Sequence, residues 1–289
     1  MEILTLYVGQ GSLVAIRSGT EALIVDSHMP TADDVTQEQI EQTLATFVGA
    51  RRVRGLILTG FDDDHSCPAG VESILTTYTP DWVMYPKYYK PTDAATDVFA
   101  TITREEKRRA NSSRPLVRHS VRVDLVATRH LLGLAGSFTF ELFSPHMEDM
   151  DSSNNSSLVL KVTGLDATGF SYLITGDTET GRWERINAIF GAAIRSDKMA
   201  ASHHGSITGV NAESLLLISP HTVLISAGHD NQYGHPDTAA IKVYSRVAQQ
   251  VYSTHVDGGH CLFSRRVAQG FETHLVRHAD HVDSGNVSA

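Results

Sequence analysis

The sequence predicts an α/β fold in which β-sheets are covered by helices. Short apolar runs, bounded by Gly, Pro, Asn or Asp, recur along the chain and are typical of strands. Longer stretches between them, for example 36–49 and 238–249, have the apolar spacing of helices. With 289 residues, of which 41% are hydrophobic and 20% charged, the chain has the composition of one large folded domain.

The predicted elements alternate along the chain. In the first half, strands are predicted at 3–8, 12–16, 22–25, 53–58 and 82–85, and helices at 36–49 and 71–78. In the second half, strands are predicted at 120–127, 138–143, 157–162, 172–175, 197–201 and 223–226, and helices at 183–190, 212–218 and 238–249. This alternation is what predicts sheets with covering helices.

Two segments depart from the alternation. From 86 to about 130 the sequence becomes polar and basic, with a helix-compatible stretch at 105–111, and we interpret it as an insertion in a domain that spans 1–265. Of the chain's 24 Lys and Arg residues, ten lie between Lys87 and Arg129, against five acidic residues. Residues 266–289 are predicted to form a poorly ordered tail.

Composition excludes several classes of protein. No window approaches the roughly 18 uninterrupted apolar residues of a membrane-spanning helix, and the N-terminus lacks the basic and apolar regions of an export signal. Cys67 and Cys261 form no CxxC pair, so neither a disulfide framework nor a thiolate metal site is indicated. We therefore expect a cytoplasmic protein without membrane contact. A net charge of −9 argues against wholesale coating of nucleic acid.

Three clusters of potential metal ligands each follow an apolar, strand-like run. The clusters are Asp62, Asp63, Asp64 and His65, then Asp177 after Gly176, then the pair His203 and His204. Carboxylate oxygen combined with imidazole nitrogen suits Zn²⁺, Mn²⁺ or Fe²⁺. Taken singly, each cluster also fits a turn or a helix cap. Adjacent histidines on a strand point to opposite faces, so we expect at most one of the pair to face a shared metal.

A series of motifs resembles the metallo-β-lactamase superfamily, and more narrowly the hydrolase domain of ComEC-type competence proteins. The motifs are VGQG at 8–11, LIVD at 23–26, LTGFDDDH at 58–65, NNSSLVL at 154–160, LITGD at 173–177, HHGS at 203–206 and NQYGHP at 231–236. They occur in the order of the family and span roughly 8–259. Their combination is highly specific for this family.

The resemblance implies an αββα four-layer sandwich whose active site lies along one edge of two facing sheets. It also implies one or two metals that activate a water for hydrolysis. By motif, the metal ligands would be Asp64, His65, Asp177 and His203, with Asp177 as the bridging carboxylate. Asp26 would brace the metal-binding loop, and His204 would face substrate phosphate, although the order of the two histidines stays open.

The chain also departs from the family pattern. Gly60 and Asp62 stand at two positions where the family has histidines, and Asn154 or Asn155 stands where it has another. We therefore predict one well-formed site for Zn²⁺ or Mn²⁺ and a doubtful second one. Asp62 could still contribute an oxygen, and His28 or His146 could substitute from nearby loops, although surface or loop-capping roles are the commoner explanation. His235 and Ser206 would support the site or face the substrate.

The predicted function is that of a metal-dependent hydrolase, and the favoured class is a phosphodiesterase or nuclease that acts on DNA or RNA. We expect Asp64, Asp177, His204 and Asp62 to take part in catalysis. One alternative is a hydrolase of a non-phosphate ester, because one fold hosts many reactions. Another is a catalytically impaired module that binds nucleic acid or a partner protein. Protein partners in a multi-component system are also expected.

The basic segment is the candidate nucleic-acid rim. Lys107, Arg108 and Arg109 would contact phosphates, and aromatic residues at 85, 88 and 89 offer stacking faces. The alternative is a solvated segment in which arginines pair with glutamates, as the run 104–108 allows.

Overall fold

The computed structural model describes residues 1–30, 35–88, 91–126, 128–149 and 152–278, and its backbone is built around two sheets that pack face to face. The strands are β1 Glu2–Thr5, β2 Val14–Ser18, β3 Glu21–Val25, β4 Arg52–Ile57, β5 Trp82–Pro86, β6 Val117–Val121, β7 His130–Leu131, β8 Phe138–Ser144, β9 Val159–Gly164, β10 Ser171–Ile174, β11 Lys198–Ala200, β12 Thr222–Ile225, β13 Gln250–Ser253, β14 Cys261–Val267 and β15 Gly270–Val276. The helices are α1 Gln37–Val48, α2 Pro68–Thr77, α3 Asp93–Arg109, α4 Thr180–Phe190, α5 Ala212–Ile218 and α6 Thr238–Val247.

The first sheet has the order β15-β14-β1-β2-β3-β4-β5-β6 and the second the order β13-β12-β11-β10-β9-β8-β7. The strands β3 to β6 are parallel to one another, as are β10 to β13, and the remaining pairs are antiparallel. Parallel strands place their carboxyl ends at one edge of a sheet, which is where ligand sites of such sheets form.

Side-chain alternation explains why each sheet is buried on both faces. In β3, Leu23 and Val25 lie in the cluster between the sheets, whereas Ala22 and Ile24 lie in the cluster under α1 to α3. A third cluster packs the outer face of the second sheet against α4 to α6. The strands therefore read as nearly continuous apolar runs, and the layers are helix, sheet, sheet, helix as predicted.

Local signals set the first helix. Thr36 caps α1 and forms a capping box with Gln39, and the buried stripe Ile40, Leu44 and Phe47 has the i, i+4, i+7 spacing of a helix that covers a sheet. Among the helices of the described residues, none has the length and hydropathy needed to cross a bilayer.

The basic segment is not a loop-like insertion but a regular part of the first sheet. The helix α3 buries Ala95, Val98 and Ile102 in the cluster under the first sheet, and β6 pairs in parallel with β5. The sequence pattern was hard to read because the rest of α3 is polar and faces outward. Composition therefore predicted only the end of a helix that begins at Asp93.

The predicted tail is also corrected in part. Residues 270–276 form β15, an edge strand that pairs antiparallel with β14 from Cys261↔Val276 to Val267↔Gly270. Only Thr273 is buried in this strand, so hydrophobicity does not reveal it. Residues 279–289 of the predicted tail lie outside the described residues.

Lys198 is a buried cation at the start of β11. Its side chain has no exposed surface, its Nζ donates to Ser264 Oγ at 2.6 Å, and it lies over the rings of Phe271 and Phe170 at 4.6 and 5.4 Å. Burial lowers the pKa of Lys198 to about 7, helped by Arg266 and opposed by the carboxylates of Asp197 and Glu272.

We predict that Lys198 makes stability depend on pH. The folded pKa is about 7 and the unfolded pKa is the ordinary 10.5, so the folded state binds fewer protons between these values. The free energy of unfolding should then rise with pH over that interval, by roughly 2–4 kcal/mol, and this gain is absent below pH 7. Urea unfolding from pH 6 to pH 10 measures it. Lys198→Met should be more stable than the wild type at pH 6, and this difference should shrink by pH 10. If the free energies of unfolding of the two proteins change in parallel with pH, Lys198 is not the group responsible.

Candidate metal centre

The three sequence clusters meet at one edge of the sandwich. The segment 62–65 follows β4, Asp177 follows β10, and the turn 202–205 follows β11, so all three leave the carboxyl ends of strands at the same edge. The backbone N–H of Ser12 bonds Asp64 O at 2.8 Å, and that of His203 bonds Gly176 O at 3.1 Å. The first bond joins loops of the first sheet and the second joins loops of the second sheet, and Leu158 N donates across the sandwich to Thr59 O at 2.8 Å.

Four side chains converge at this edge. One ligand atom from each of Asp64, His65, Asp177 and His204 lies within 4.8 Å of all the others. His65 Nε2 is 2.9 Å from Asp177 Oδ1, and His204 Nε2 is 3.3 Å from Asp64 Oδ2 and 3.7 Å from Asp177 Oδ1. Among the residues that the structure describes, this is the group with metal-ligating geometry.

The chemistry of these atoms fits a cation. His65 Nε2, His204 Nε2 and Asp177 Oδ1 are buried, and none of them has a partner in hydrogen-bonding geometry. Buried polar atoms are rarely left in this state, because each costs free energy until something binds it. Two imidazole nitrogens and two carboxylates are a common ligand set for Zn²⁺ or Mn²⁺. The residues present therefore fit a divalent metal.

His65 is held by a buried acceptor behind it. Asp26 is 2% exposed, and its Oδ2 lies 2.9 Å from His65 Nδ1, while its Oδ1 accepts from Thr59 N at 2.7 Å. The Thr59 hydroxyl is also within 2.9 Å of Asp26. A carboxylate on Nδ1 fixes the imidazole tautomer that leaves the Nε2 lone pair for a ligand. This arrangement supports the predicted bracing role of Asp26.

The structure corrects the order of the histidine pair: His204, and not His203, joins the cluster. Both residues have a left-handed backbone, with φ of 51° and 53°, so the strand rule for adjacent side chains no longer applies. Ser226 O lies 2.8 Å from His204 Nδ1, which directs His204 Nε2 toward the two carboxylates. His203 turns instead toward Thr208 Oγ1 at 3.3 Å and Glu179 at 3.7 Å.

Asp177 depends on the glycine before it. Gly176 has φ of 50°, and a Cβ there would lie 2.9 Å from the Ser157 side chain and 3.1 Å from Thr59 Cβ. The close approach lets Asp177 N donate to Ser157 Oγ at 3.0 Å, which points the carboxylate into the cluster.

Electrostatics favours positive charge at the centre. Burial alone would raise the pKa values of Asp64 and Asp177, but contact with His204 and His65 lowers both. Burial alone would lower the pKa values of His65 and His204, but the neighbouring carboxylates, above all Asp177, raise both. The site thus stabilises the charge that a divalent cation carries.

An open cleft of about 450 Å³ lies over the cluster. Its lining is Gln10, His28, Asp62, Asp63, Asp64, Asn154, Asp177, His203, His204, Gln232, Tyr233 and His235. Most predicted site residues therefore meet in one place. A Cβ at Gly60, on the metal loop, would meet nothing within 4 Å, and Asp62 lines the cleft without belonging to the four-residue cluster.

Asn155, Ser206 and His146 are among the predicted residues that do not line the cleft. Asn155 Oδ1 accepts from Glu179 N at 3.2 Å, and Ser206 Oγ caps a short turn by accepting from Thr208 N at 3.3 Å. His146 hydrogen-bonds Arg182 Nη2 beside α4. The first two support loops of the site, and His146 does not substitute as a ligand in the cluster.

The predicted phosphate contacts Lys107, Arg108 and Arg109 end α3 and do not line the cleft, so this part of the predicted basic rim is wrong. The helix α3 runs away from the metal edge, and its last residue, Arg109, is buried and donates to Arg114 O at 2.9 Å. Arg114 in turn bonds Asp81, which precedes β5 at the far edge of the sheet. Ion pairs neutralise most of the segment: Arg104–Glu72, Arg108–Glu105, Arg114–Asp81, Arg118–Glu106, Arg122–Asp124 and Arg129–Glu141.

Of the aromatic residues predicted for that rim, one is buried and one lies beside the metal loop. Tyr85 is buried against Phe61 and Phe99, with ring centroids 5.6 and 5.4 Å away, and offers no stacking face. Tyr88 lines a small pocket with Asp62 beside the metal loop. The tyrosine at position 89 lies outside the described residues.

We predict that neutralising the end of α3 leaves activity unchanged. The double variant Lys107→Gln/Arg108→Gln removes two charges at the far edge, so kcat/KM should stay within about twofold and its salt dependence should not change. Steady-state kinetics from 50 to 200 mM salt test this. A large loss of kcat/KM together with a weaker dependence on salt would show that Lys107 and Arg108 do contact the substrate.

Several residues of the site were not singled out from sequence. Ser226 and Ser157 act through a backbone carbonyl and a hydroxyl, and no sequence pattern marks them. Gln10, Gln232 and Tyr233 line the cleft, and each lies inside or beside a motif that the sequence already displayed, VGQG or NQYGHP.

The two-sheet sandwich with helices on both outer faces has the metallo-β-lactamase fold, and its edge carries a candidate metal site. The chain is similar in sequence to ComE operon protein 3 of Bacillus subtilis, with 28% identity over 223 residues that cover 76% of this chain and 26% of the relative. It is 33% identical to competence protein ComA of Neisseria gonorrhoeae over 100 residues, which are 35% of this chain and 14% of ComA. The chain thus spans about a quarter or less of these ComEC-like relatives. No family model matches the chain.

Solved structures support the fold. Igni18, a metallo hydrolase from Ignicoccus hospitalis, has a TM-score of 0.51 at 10% identity, over 91% of this chain and 98% of that chain. The β-hydroxylase CmlA, as its E377D mutant, has a TM-score of 0.52 at 13% identity, over 91% of this chain and 54% of that chain. One is a hydrolase and the other a hydroxylase, so the fold by itself does not select a reaction.

Proposed function

We propose that the chain is a metal-dependent hydrolase of phosphodiester bonds, with DNA or RNA as the substrate. The observation that carries the proposal is the convergence of Asp64, His65, Asp177 and His204 at an open cleft, where three of their buried atoms have no partner in hydrogen-bonding geometry. The similarity to competence proteins supports a nucleic-acid substrate. The proposed location is cytoplasmic, in a system with further protein partners.

The proposed metal is Zn²⁺ or Mn²⁺, held by the four converging residues. Such a metal supplies a Lewis acid and activates a water near neutral pH. Asp26 and the Ser226 carbonyl keep the two imidazoles turned toward the centre. The Asp62 carboxylate faces the same cleft and can orient the attacking water.

Substrate binding falls to the other cleft residues. His203, His235 and Asn154 line the wall beside the cluster and carry N–H groups that can donate to phosphate oxygens. Asn154 Nδ2 is positioned by Glu179 Oε1 at 3.3 Å, and the ring of His203 lies 5.7 Å from that of His235. These donors suit an anionic substrate whose charge is balanced by the metal.

The proposal is tested by metal quantification and a substrate panel. Purified protein is analysed for bound metal and assayed with Mn²⁺, Zn²⁺ and Mg²⁺ on single- and double-stranded DNA, RNA, a generic phosphodiester, a thioester, a lactone and a β-lactam. Bound metal with phosphodiester turnover is the expected result. If only a non-phosphate ester is hydrolysed, the substrate class is that ester and not a phosphodiester. Bound metal without any turnover would favour a binding module. Absence of bound metal would refute the proposal.

A further inference from the structure

The cleft over the metal centre has an unusual charge pattern for a site that takes nucleic acid. Among its described lining residues there are four aspartates and neither lysine nor arginine. Proteins that track a polyanionic backbone neutralise successive phosphates with such cations. Here the described lining can accept one phosphodiester beside the metal, but it supplies no lysine or arginine for neighbouring phosphates. Among the described lining residues, the groups available beyond that phosphate are imidazole, amide and phenol groups.

A row of rings leads from the metal cluster to the mouth of the cleft. The ring centroids of His204 and His203 are 6.5 Å apart, those of His203 and His235 5.7 Å, and those of His235 and Tyr233 6.1 Å. Tyr233 stacks on His235 with an interplanar angle of 16°, yet the residue is 60% exposed. An exposed ring that already stacks on one side can offer its other side to a planar ligand group.

The loop that carries Tyr233 is held rigidly by Asn231. Its Oδ1 accepts from Tyr233 N and from His235 N, both at 3.1 Å, and its Nδ2 donates to Gly228 O at 2.8 Å and to His235 O. Gly234 N closes the turn onto Asn231 O at 3.1 Å. The exposed ring is therefore pre-organised, which lowers the entropy cost of binding a ligand to it.

We propose that Tyr233 stacks on an unpaired nucleobase next to the phosphodiester that lies at the metal centre. The proposal rests on the function proposed above and narrows its substrate to single-stranded nucleic acid. In a duplex both faces of a base are covered by its neighbours, whereas a single strand presents a free face to an aromatic side chain. A cleft of about 450 Å³ suits a unit of nucleotide size rather than a double helix.

The experiment compares two single-stranded oligodeoxynucleotides of equal length. One carries bases throughout, and the other has abasic units around the scissile position, so that the phosphates are kept and the stacking faces are lost. We expect the wild type to prefer the base-bearing strand by about tenfold in kcat/KM. Tyr233→Ala should abolish this preference and Tyr233→Phe should retain it, with the metal content of both variants unchanged.

A binding readout accompanies the kinetics. A short strand with 2-aminopurine beside the central phosphate is titrated with wild-type protein and with Tyr233→Ala, and quenching should occur with the wild type alone. Leu132→Ala is the matched control, because it removes an apolar side chain from a residue that is 85% exposed and lies away from the cleft. Its neighbour Leu134 accepts a hydrogen bond from Trp82 Nε1 at the start of β5, the end of that strand opposite the metal edge.

The outcomes separate the two proposals. Equal hydrolysis of both strands, or a preference that survives Tyr233→Ala, would overturn the stacking role and leave the hydrolase intact. Hydrolysis of duplex DNA at the rate of single-stranded DNA would also overturn it. If the wild type hydrolyses neither strand with any metal, the proposed function fails and the stacking inference fails with it.

Discussion

Asp177→Asn is expected to remove bound metal and to lower hydrolysis by more than 100-fold. Asp177 Oδ1 lies 2.9 Å from His65 Nε2 and 3.7 Å from His204 Nε2, so it is the carboxylate that both imidazoles face. Removing partners that only orient ligands costs about 10–100-fold in metal affinity or activity, and a direct ligand should cost more. Asparagine keeps the shape of the side chain and the bond from Asp177 N to Ser157 Oγ, so the fold should persist.

Metal content per chain and kcat/KM on the substrate of the hydrolysis panel are the measurements. Glu213→Gln is the matched control, since it removes one exposed carboxylate from α5, away from the cleft. It should retain metal and activity. Full metal content in Asp177→Asn would show that the four-residue cluster is not the binding site.

Asp26→Ala is expected to destabilise the protein by roughly 3–5 kcal/mol, because it leaves buried donors without an acceptor. Thr59 N and His65 Nδ1 bond the Asp26 carboxylate at 2.7 and 2.9 Å, and the site is 2% exposed. Alanine also fits poorly at φ of 57°, a left-handed backbone that aspartate and asparagine tolerate better. Urea unfolding in the presence of a chelator isolates this effect from metal binding.

Asp26→Asn separates stability from ligand orientation. The asparagine oxygen can still accept from Thr59, but the NH2 that replaces Oδ2 can only donate to His65 Nδ1, so the proton of the neutral imidazole moves to Nε2 and blocks the ligand atom. We expect metal affinity to fall by about 10–100-fold with a much smaller loss of stability than in Asp26→Ala. Metal titration of the refolded apoprotein measures this, and wild-type affinity would disprove the orienting role.

Most of the fold could be predicted because its strands are buried on both faces. In β3 and β10 every residue after the first is apolar and buried, and the polar residues that follow these strands mark the edge of the sheet. The elements that were misread are those where this contrast is weak. The helix α3 is polar on its outer face, and β15 is an edge strand with one buried residue.

The candidate site likewise has a part that the sequence could predict and a part that it could not. Asp64, His65 and Asp177 could be placed in one site from sequence, because each follows a strand whose carboxyl end reaches the same edge. The contact of the basic segment with substrate could not be judged, because composition records charge but not the ion pairs that Glu72, Asp81 and Glu141 supply from elsewhere in the chain.

By itself the sequence determined the class of fold, the edge at which the ligands gather and three of the four residues that gather there. Hydrophobic periodicity, a local property, predicts the alternation of strands and helices, whereas the four-layer class of fold and the ligand residues follow from the resemblance of the ordered motifs to a known family. Only the tertiary structure decided between His203 and His204, because the choice depends on two left-handed residues and on a carbonyl at Ser226 from a neighbouring strand end. It also placed Tyr233 at the mouth of the cleft, since ring contacts between residues 203, 233 and 235 arise only when two distant loops pack together.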